Sequence, residues 1–359
     1  MSKVLMKGNE AVAKAAINAG CRLYFAYPIT PQSELIEYMA KMMPTVKGTF
    51  LQAESEVAAI NMVYGAAGCG KRVMTSSSSP GISLKMEGIS YIAGAELPAV
   101  IVNVQRGGPG LGDIQPAQAD YFQATKGGGH GDYHCIVLAP SSVQEFADMA
   151  SDAFDLADKY RNPVMILADG MLGQMMEPVE FKVPKTDAEI EELGHQHEDW
   201  CICPNQDGDA KHHHEINSLE IDPLVLEKHV NDLYKKYDVI IANEVRYETH
   251  KVKDDNEILV VAFGTASRVV RSAVDELNAE GHSIGLIRPV TVWPFPYAEI
   301  AKAIGPKVKK VYVFELNTGQ MLEDVKLAVN GKVPVDFWGK VGGIVFTPAE
   351  IKAKLEACF

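Results

Sequence analysis

Thr30, Glu56, Arg106 and His130 are the residues of this chain whose types and settings could do chemistry together. Thr30 belongs to Tyr27-Pro28-Ile29-Thr30-Pro31. Each proline fixes its own φ and pushes the residue before it toward extended backbone. Tyr27 and Thr30 therefore sit in a stiff turn, and the Thr30 hydroxyl is offered from a pre-set loop. The same pattern also suits a plain strand-to-helix turn without chemistry. Glu56 falls in the first turn of a helix, where the dipole favours a carboxylate. The helix behind it is rich in small residues: Ala58, Ala59, Gly65, Ala66 and Ala67. Close packing there would bury Glu56, and a buried carboxylate needs a partner such as a ligand nitrogen. Its neighbour Glu54 reads as a cap or a charge complement. Arg106 directly follows a buried strand, and its planar fork can take a carboxylate through two hydrogen bonds. Pairing with Asp113 is the alternative. His130 lies in Lys126-Gly127-Gly128-Gly129-His130-Gly131-Asp132. Such a loop could close over a substrate or stay exposed.

Alternating strands and helices would position these groups. Residues 8–19 carry alanines and Ile17 at helical spacing, and Gly20 stops the helix. A short strand at 21–27 delivers the proline turn, and 32–42 follows as a helix with Leu35, Ile36 and Met39 on one face. Then come a strand at 50–52, a helix at 54–68, a strand at 72–76 and a serine-rich loop at 76–81. A helix at 84–95, strands at 99–104 and 134–138, a helix at 141–160 and a strand at 164–169 complete the unit. Continuous apolar strands alternating with helices predict an α/β fold with a parallel sheet covered on both faces. Ligands bind such sheets at the carboxyl ends of the strands, where Thr30 and Arg106 fall. The first domain is placed at 1–183. Residues 184–256 are polar and charge-dense, a connector with an amphipathic helix at 224–237 and a flexible part near 204–215. Residues 257–359 form a second α/β unit: a strand at 258–263, a tight turn at 264–266 and a serine-capped helix at 267–279. Strands at 283–287 and 311–316 and a helix at 320–329 follow.

A chain of 359 residues suits two or three domains. Its net charge of −13 argues against nucleic acid or an anionic membrane as the main partner. The six cysteines are mostly scattered, which points to a reducing compartment rather than a disulfide framework. No apolar run reaches membrane-spanning length, and MSKVLMKGNE has no signal-peptide core. The expected compartment is the cytoplasm.

Other motifs fail on spacing. Gly108, Gly110 and Gly112 do not make a dinucleotide fingerprint, and Gly68-Cys69-Gly70-Lys71 is no Walker A loop. Ser76–Ser79 could cradle an anion or form an ordinary turn. Cys201, Cys203, His195, His197 and His212–His214 lack zinc-ligand spacing, so no metal is expected on this chain. Nothing matches a ferredoxin cluster motif.

Four segments occur in order: Tyr27-Pro28-Ile29-Thr30-Pro31, Ala53-Glu54-Ser55-Glu56-Val57-Ala58-Ala59, Gln105-Arg106-Gly107-Gly108-Pro109 and Gly129-His130-Gly131-Asp132. Together they resemble the alpha subunit of the 2-oxoacid:ferredoxin oxidoreductases, above all those named for branched-chain 2-oxoacids or 2-oxoglutarate. The second unit, with Ala262-Phe263-Gly264-Thr265 and Arg288-Pro289, resembles that subunit's transketolase-type C-terminal domain. The resemblance implies a thiamine diphosphate site shared between two chains. This chain would supply the pyrimidine-binding domain, and a beta subunit would hold the diphosphate and Mg2+. Glu56 matches the glutamate that bonds the aminopyrimidine ring nitrogen, with Tyr27 and Pro28 beside the ring. Thr30 and Arg106 match the positions that hold the 2-oxoacid, and His130 is a loop contact. Coenzyme A would take the acyl group. Iron–sulfur centres on gamma and ferredoxin-like subunits would pass electrons to ferredoxin. Half of another thiamine diphosphate enzyme, transketolase-like or decarboxylase-like, and a non-catalytic assembly subunit remain the alternatives.

Overall fold

The run Ala99–Gln105, β-branched at its centre, is a strand buried at every residue in the computed structural model, which describes residues 3–202 and 214–359. In chain order the first sheet and its helices comprise β1 (Val4–Lys7), α1 (Gly8–Asn18), β2 (Leu23–Ala26), α2 (Ser33–Met42), β3 (Thr49–Gln52) and α3 (Glu56–Gly68). Next come β4 (Val73–Ser77), α4 (Ser79–Gly94), β5 (Ala99–Gln105), α5 (Tyr121–Thr125) and β6 (Ile136–Leu138). Then follow α6 (Val143–Tyr160), β7 (Pro163–Asp169), α7 (Gly170–Gln174) and β8 (Met176–Val179). After α8 (Asp187–His195) and α9 (Pro223–Glu244) the second unit contains β9 (Tyr247–His250), β10 (Ile258–Val261), α10 (Gly264–Ala279), β11 (Ile284–Pro289) and β12 (Thr291–Trp293). It ends with α11 (Tyr297–Ala303), β13 (Lys310–Glu315), α12 (Met321–Val329), β14 (Val335–Gly339) and α13 (Pro348–Glu356).

The first sheet runs β12-β6-β7-β5-β4-β2-β3. Its six strands from β6 to β3 are parallel, and β12 pairs antiparallel at the edge. Met74, Val100 and Val102 face a core with α1, α2 and α6, while Val73 and Ile101 face the other core with α3 and α4. The second sheet runs β14-β13-β10-β11-β9, again parallel except for edge strand β9. Leu259, Val261 and Ile287 from it share the core beneath α3 and α4. Both units are thus α/β sheets of the expected class. Among the described residues no helix is long and apolar enough to cross a membrane.

Several elements differ from the sequence reading. The serine-rich loop is almost absent: β4 continues to Ser77 and α4 begins at Ser79. Pro80 does not delay that helix, because a missing N–H costs nothing in a first turn. Likewise α10 begins at Gly264 rather than after a turn there, and Ser267 does not cap it but donates to the Gly264 carbonyl at 2.6 Å. In the connector, α9 runs seven residues beyond the periodic stretch, to Glu244. Helix α8, closed by a Thr186–Glu189 capping box, was not foreseen. Residues 203–213, most of the stretch read as flexible, lie outside the described residues.

Candidate active site

Strands β4 and β5 end side by side, with Ser77 opposite Asn103, and α4 starts directly above them. Three of the sequence-predicted residues, Glu56, Arg106 and Thr30, lie around that first helical turn. The Arg106 backbone N–H donates to Ser79 Oγ at 3.0 Å. The Arg106 guanidinium is buried, with Nη1 donating to the Thr30 carbonyl at 3.0 Å and Nη2 to the Leu111 carbonyl at 2.9 Å. Its Nε has no partner among the described residues. Arg106 and Thr30 are therefore joined, though through the Thr30 backbone, and the residue itself is exposed. Asp113 accepts the Gln115 N–H at 2.8 Å instead of pairing with Arg106. The proline turn is pinned from below: Asn9 Nδ2 and Gln174 Nε2 donate to the Pro31 carbonyl at 2.8 and 3.1 Å. Tyr27 and Pro28 remain exposed on its outer side.

Ser55 caps α3 by accepting the Ala58 N–H at 3.1 Å, so Glu56 is the first helical residue. Glu56 is only 6% exposed, and its carboxylate has no hydrogen bond among the described residues. The close approach that buries it comes from the other helix, not from the small residues of α3. A Cβ on Gly81 would lie 2.6 Å from Glu56 Oε1 and 2.0 Å from Ser77 Oγ, and one on Gly88 would lie 2.5 Å from Ile60. Gly65 on α3 faces open space.

One charged residue escaped the sequence reading. Lys85 is fully buried on α4, and its Nζ donates to Thr75 Oγ1 at 2.6 Å. Burial pushes the Lys85 ammonium down to about 7, and the Glu56 carboxylate raises it in part. A lysine two residues before a glutamate reads as solvated surface. The available signal was its place in the buried stripe of Ile82 and Ile89.

Other polar atoms around this turn are unsatisfied. Ser77 Oγ, Ser78 Oγ, Gln32 Nε2 and Asn103 Oδ1 are buried without a hydrogen-bond partner among the described residues. Each such group costs roughly 1–3 kcal/mol. Asp120 accepts Ser79 Oγ at 2.6 Å and Asn103 Nδ2 at 2.9 Å, and burial raises its carboxyl above the usual range. The cluster thus pairs an unpartnered acid and a half-used guanidinium with spare hydroxyls and amides, a set suited to a polar ring and a small carboxylate.

His130 is not brought to this cluster. Its carbonyl accepts Ser90 Oγ at 2.7 Å, about 16 Å further along α4 than Ser79. It lines a separate cavity with Asn217, Leu219 and His229. Among the other histidines, His197 Nδ1 meets the Gly70 carbonyl at 2.9 Å and His214 Nδ1 the Cys201 carbonyl at 3.0 Å. Cys203, His212 and His213 lie outside the described residues.

Comparisons with known proteins give two family matches: "Pyruvate flavodoxin/ferredoxin oxidoreductase, thiamine diP-bdg" over residues 14–205, and "Pyruvate:ferredoxin oxidoreductase core domain II" over residues 256–351. The chain is 49% identical to ketoisovalerate oxidoreductase subunit VorB of Methanothermobacter thermautotrophicus, covering 99% of this chain and 97% of that protein. It is 36% identical to 2-oxoglutarate synthase subunit KorA of Methanocaldococcus jannaschii, covering 98% and 99%. A solved 2-oxoglutarate:ferredoxin oxidoreductase from Magnetococcus marinus, with 2-oxoglutarate, coenzyme A and succinyl-CoA bound, superposes with a TM-score of 0.84 at 30% identity. That match covers 99% of this chain and 65% of the solved one. A split-gene transketolase at TM-score 0.58 and 14% identity shares the fold.

Proposed function

The chain belongs to the 2-oxoacid:ferredoxin oxidoreductase family as an alpha subunit, and on that premise we propose that its first sheet forms the pyrimidine half of a thiamine diphosphate site. The observation that carries this reading is Glu56, buried, without a hydrogen bond among the described residues, and packed so close to Gly81 that a Cβ there would lie 2.6 Å from its Oε1. A basic ring nitrogen is the partner such a carboxylate lacks. When bound, thiamine diphosphate supplies the electron sink that lets a 2-oxoacid lose its carboxyl group. Glu56 holds a proton at that nitrogen and fixes the ring's orientation. Tyr27 and Pro28 pack beside the ring. Arg106 and Thr30 hold the carboxylate and oxygen of the 2-oxoacid, and the guanidinium is aimed by the Thr30 and Leu111 carbonyls. His130 is left out of this set.

The proposed reaction is oxidative decarboxylation of a 2-oxoacid to acyl-CoA, with electrons passed to ferredoxin. A beta subunit would hold the diphosphate and Mg2+, and gamma and ferredoxin-like subunits the iron–sulfur clusters. Domain limits of 1–183, 184–256 and 257–359 and a cytoplasmic location belong to the same proposal. For substrate we favour 3-methyl-2-oxobutanoate over 2-oxoglutarate. The stretch 107–116 beside Arg106 carries exposed Leu111 and Ile114 and no second cation for a second carboxylate. The higher identity to the ketoisovalerate subunit points the same way.

The test is co-expression with the partner subunits and an assay of viologen reduction with pyruvate, 2-oxoglutarate and 3-methyl-2-oxobutanoate. The expected order puts 3-methyl-2-oxobutanoate first, and the isolated chain is inactive. Preference for 2-oxoglutarate would overturn the substrate assignment. Activity in the chain alone would overturn the shared site.

A further inference from the structure

Lys85 has no role in the site as described above, yet its setting is unusual. It is a lysine with no solvent access, held between α4, α3 and the sheet. Its orientation is fixed by an ordered chain. Thr75 Oγ1 donates its single proton to the Phe25 carbonyl at 2.6 Å, so toward Lys85 Nζ it can only accept, at 2.6 Å. Lys85 stands one helical turn after Gly81, on the same face of α4. The position a Gly81 Cβ would take is 2.6 Å from Glu56 Oε1. The carboxylate therefore packs on the face of α4 that carries the ammonium, one turn nearer the helix start.

We propose that Lys85 is a positioning residue for the thiamine site: a buried counter-charge that stands behind Glu56 and compensates its negative charge without bonding to it. This inference rests on the reading of Glu56 given above.

The surroundings single out that pair. From α3 the charged group facing Lys85 is Glu56, whose carboxylate raises the ammonium that burial lowers. β2 and β4 contribute the Phe25 carbonyl and Thr75. β5, with sequence AVIVNVQ, contributes no ionisable side chain. Tyr24 of β2 faces the opposite side of the sheet, bonded to Ser76 Oγ at 2.5 Å. Arg106 and Asp120, at the start of α4, are bonded to Thr30, Leu111, Ser79 and Asn103. A counter-charge held out of water acts through a low dielectric and so acts strongly. It also leaves the carboxylate oxygens free for a ligand, which a direct salt bridge would not.

The sign of the pH effect follows from burial. The ammonium is held below its ordinary range, at about 7. It is present below that pH and lost as pH rises through it.

The test uses the assembled complex, stripped of cofactor and then reloaded. Infrared difference spectra of the stripped complex are recorded across neutral pH for wild type, Glu56→Gln, Lys85→Met and Lys85→Arg. The wild type should show a carboxylate band, absent in Glu56→Gln, that shifts with an ionisation near neutrality as Lys85 loses its proton. In Lys85→Met the band should be constant over that range. Reloaded Lys85→Met should turn over about tenfold more slowly, with no alkaline decline near neutrality, and its unfolding midpoint should fall, because Glu56 is left buried without its counter-charge. Lys85→Arg should keep activity at alkaline pH. If Lys85→Met does not assemble, Lys85→Gln serves, with a neutral amide donor to Thr75. A wild-type carboxylate band that is constant with pH, or one that still titrates in Lys85→Met, overturns the inference. Full turnover in Glu56→Gln would overturn the reading of Glu56 itself, a separate outcome.

Discussion

The two sheets of this chain end in the same way, with polar residues at the carboxyl ends of parallel strands, but they treat those residues oppositely. At the second sheet every such group is paired. Glu315 accepts the Met321 and Leu322 N–H groups at 2.8 and 2.9 Å and Asn317 Nδ2 at 2.9 Å. Arg288 grips both oxygens of Glu145 at 2.9 and 2.7 Å. Gln118, from the first unit, donates to the Phe263 carbonyl at 2.9 Å and accepts the Leu316 N–H at 3.0 Å. Tyr121 donates to Asp324 at 2.5 Å. That edge is spent on docking the two units. At the first sheet, Glu56, Ser77 Oγ, Ser78 Oγ, Gln32 Nε2 and Asn103 Oδ1 are buried without a hydrogen bond among the described residues. A fold tolerates such groups when something else supplies their partners. One strand-end geometry thus serves as glue in one unit and, on the proposed reading, as a binding site in the other.

Substitutions separate the two edges. Glu56→Gln in the assembled enzyme should lose about 100-fold or more of its turnover, while assembly and unfolding midpoint hold. Normal 2-oxoacid oxidation by this variant would remove Glu56 from the mechanism. Arg288→Ala, at the paired edge, should do the reverse. It should lower the unfolding free energy by about 2–3 kcal/mol, since Glu145 is left partly buried without its partner, as read by denaturant titration. Equal stability would mean that the pairing there does not hold the units together. Gly81→Ala should weaken both, by about 1–3 kcal/mol in stability, and thiamine diphosphate titrations of the complex should show the larger deficit. Arg106→Ala should raise the apparent KM for the 2-oxoacid about tenfold. A change in rate with KM untouched counts against its role in binding. Ser77→Ala should cost the least: stability should hold or rise, because the hydroxyl removed is buried with no hydrogen bond to lose among the described residues. A large loss of stability there would show that the hydroxyl is paired after all.

Much of this was legible in the sequence where local rules dominate. Strand β5 and helix α6 follow directly from an apolar run and a 3.6-residue period, and Glu56, Thr30 and Arg106 stand out by motif. What was hidden depends on contacts far apart in the chain. The antiparallel edge strands β9 and β12 are short and acquire their pairing only from β11 and β6. The smooth surface that buries Glu56 belongs to Gly81 and Gly88, not to the alanines of α3. The start of α4 was misplaced because serines and a proline look like loop until the strand end beside them is known. Lys85 was missed because charge type outweighed its position in an apolar stripe. His130 sits in a family-like segment, yet its loop packs against Ser90 at the far part of α4.

The most direct measurement is a structure of the assembled complex with thiamine diphosphate bound. The account predicts the Glu56 carboxylate within hydrogen-bonding distance of the aminopyrimidine ring nitrogen, above Gly81 and beside the Arg106–Thr30 contact. A ring seated elsewhere, with Glu56 turned toward solvent, would contradict it.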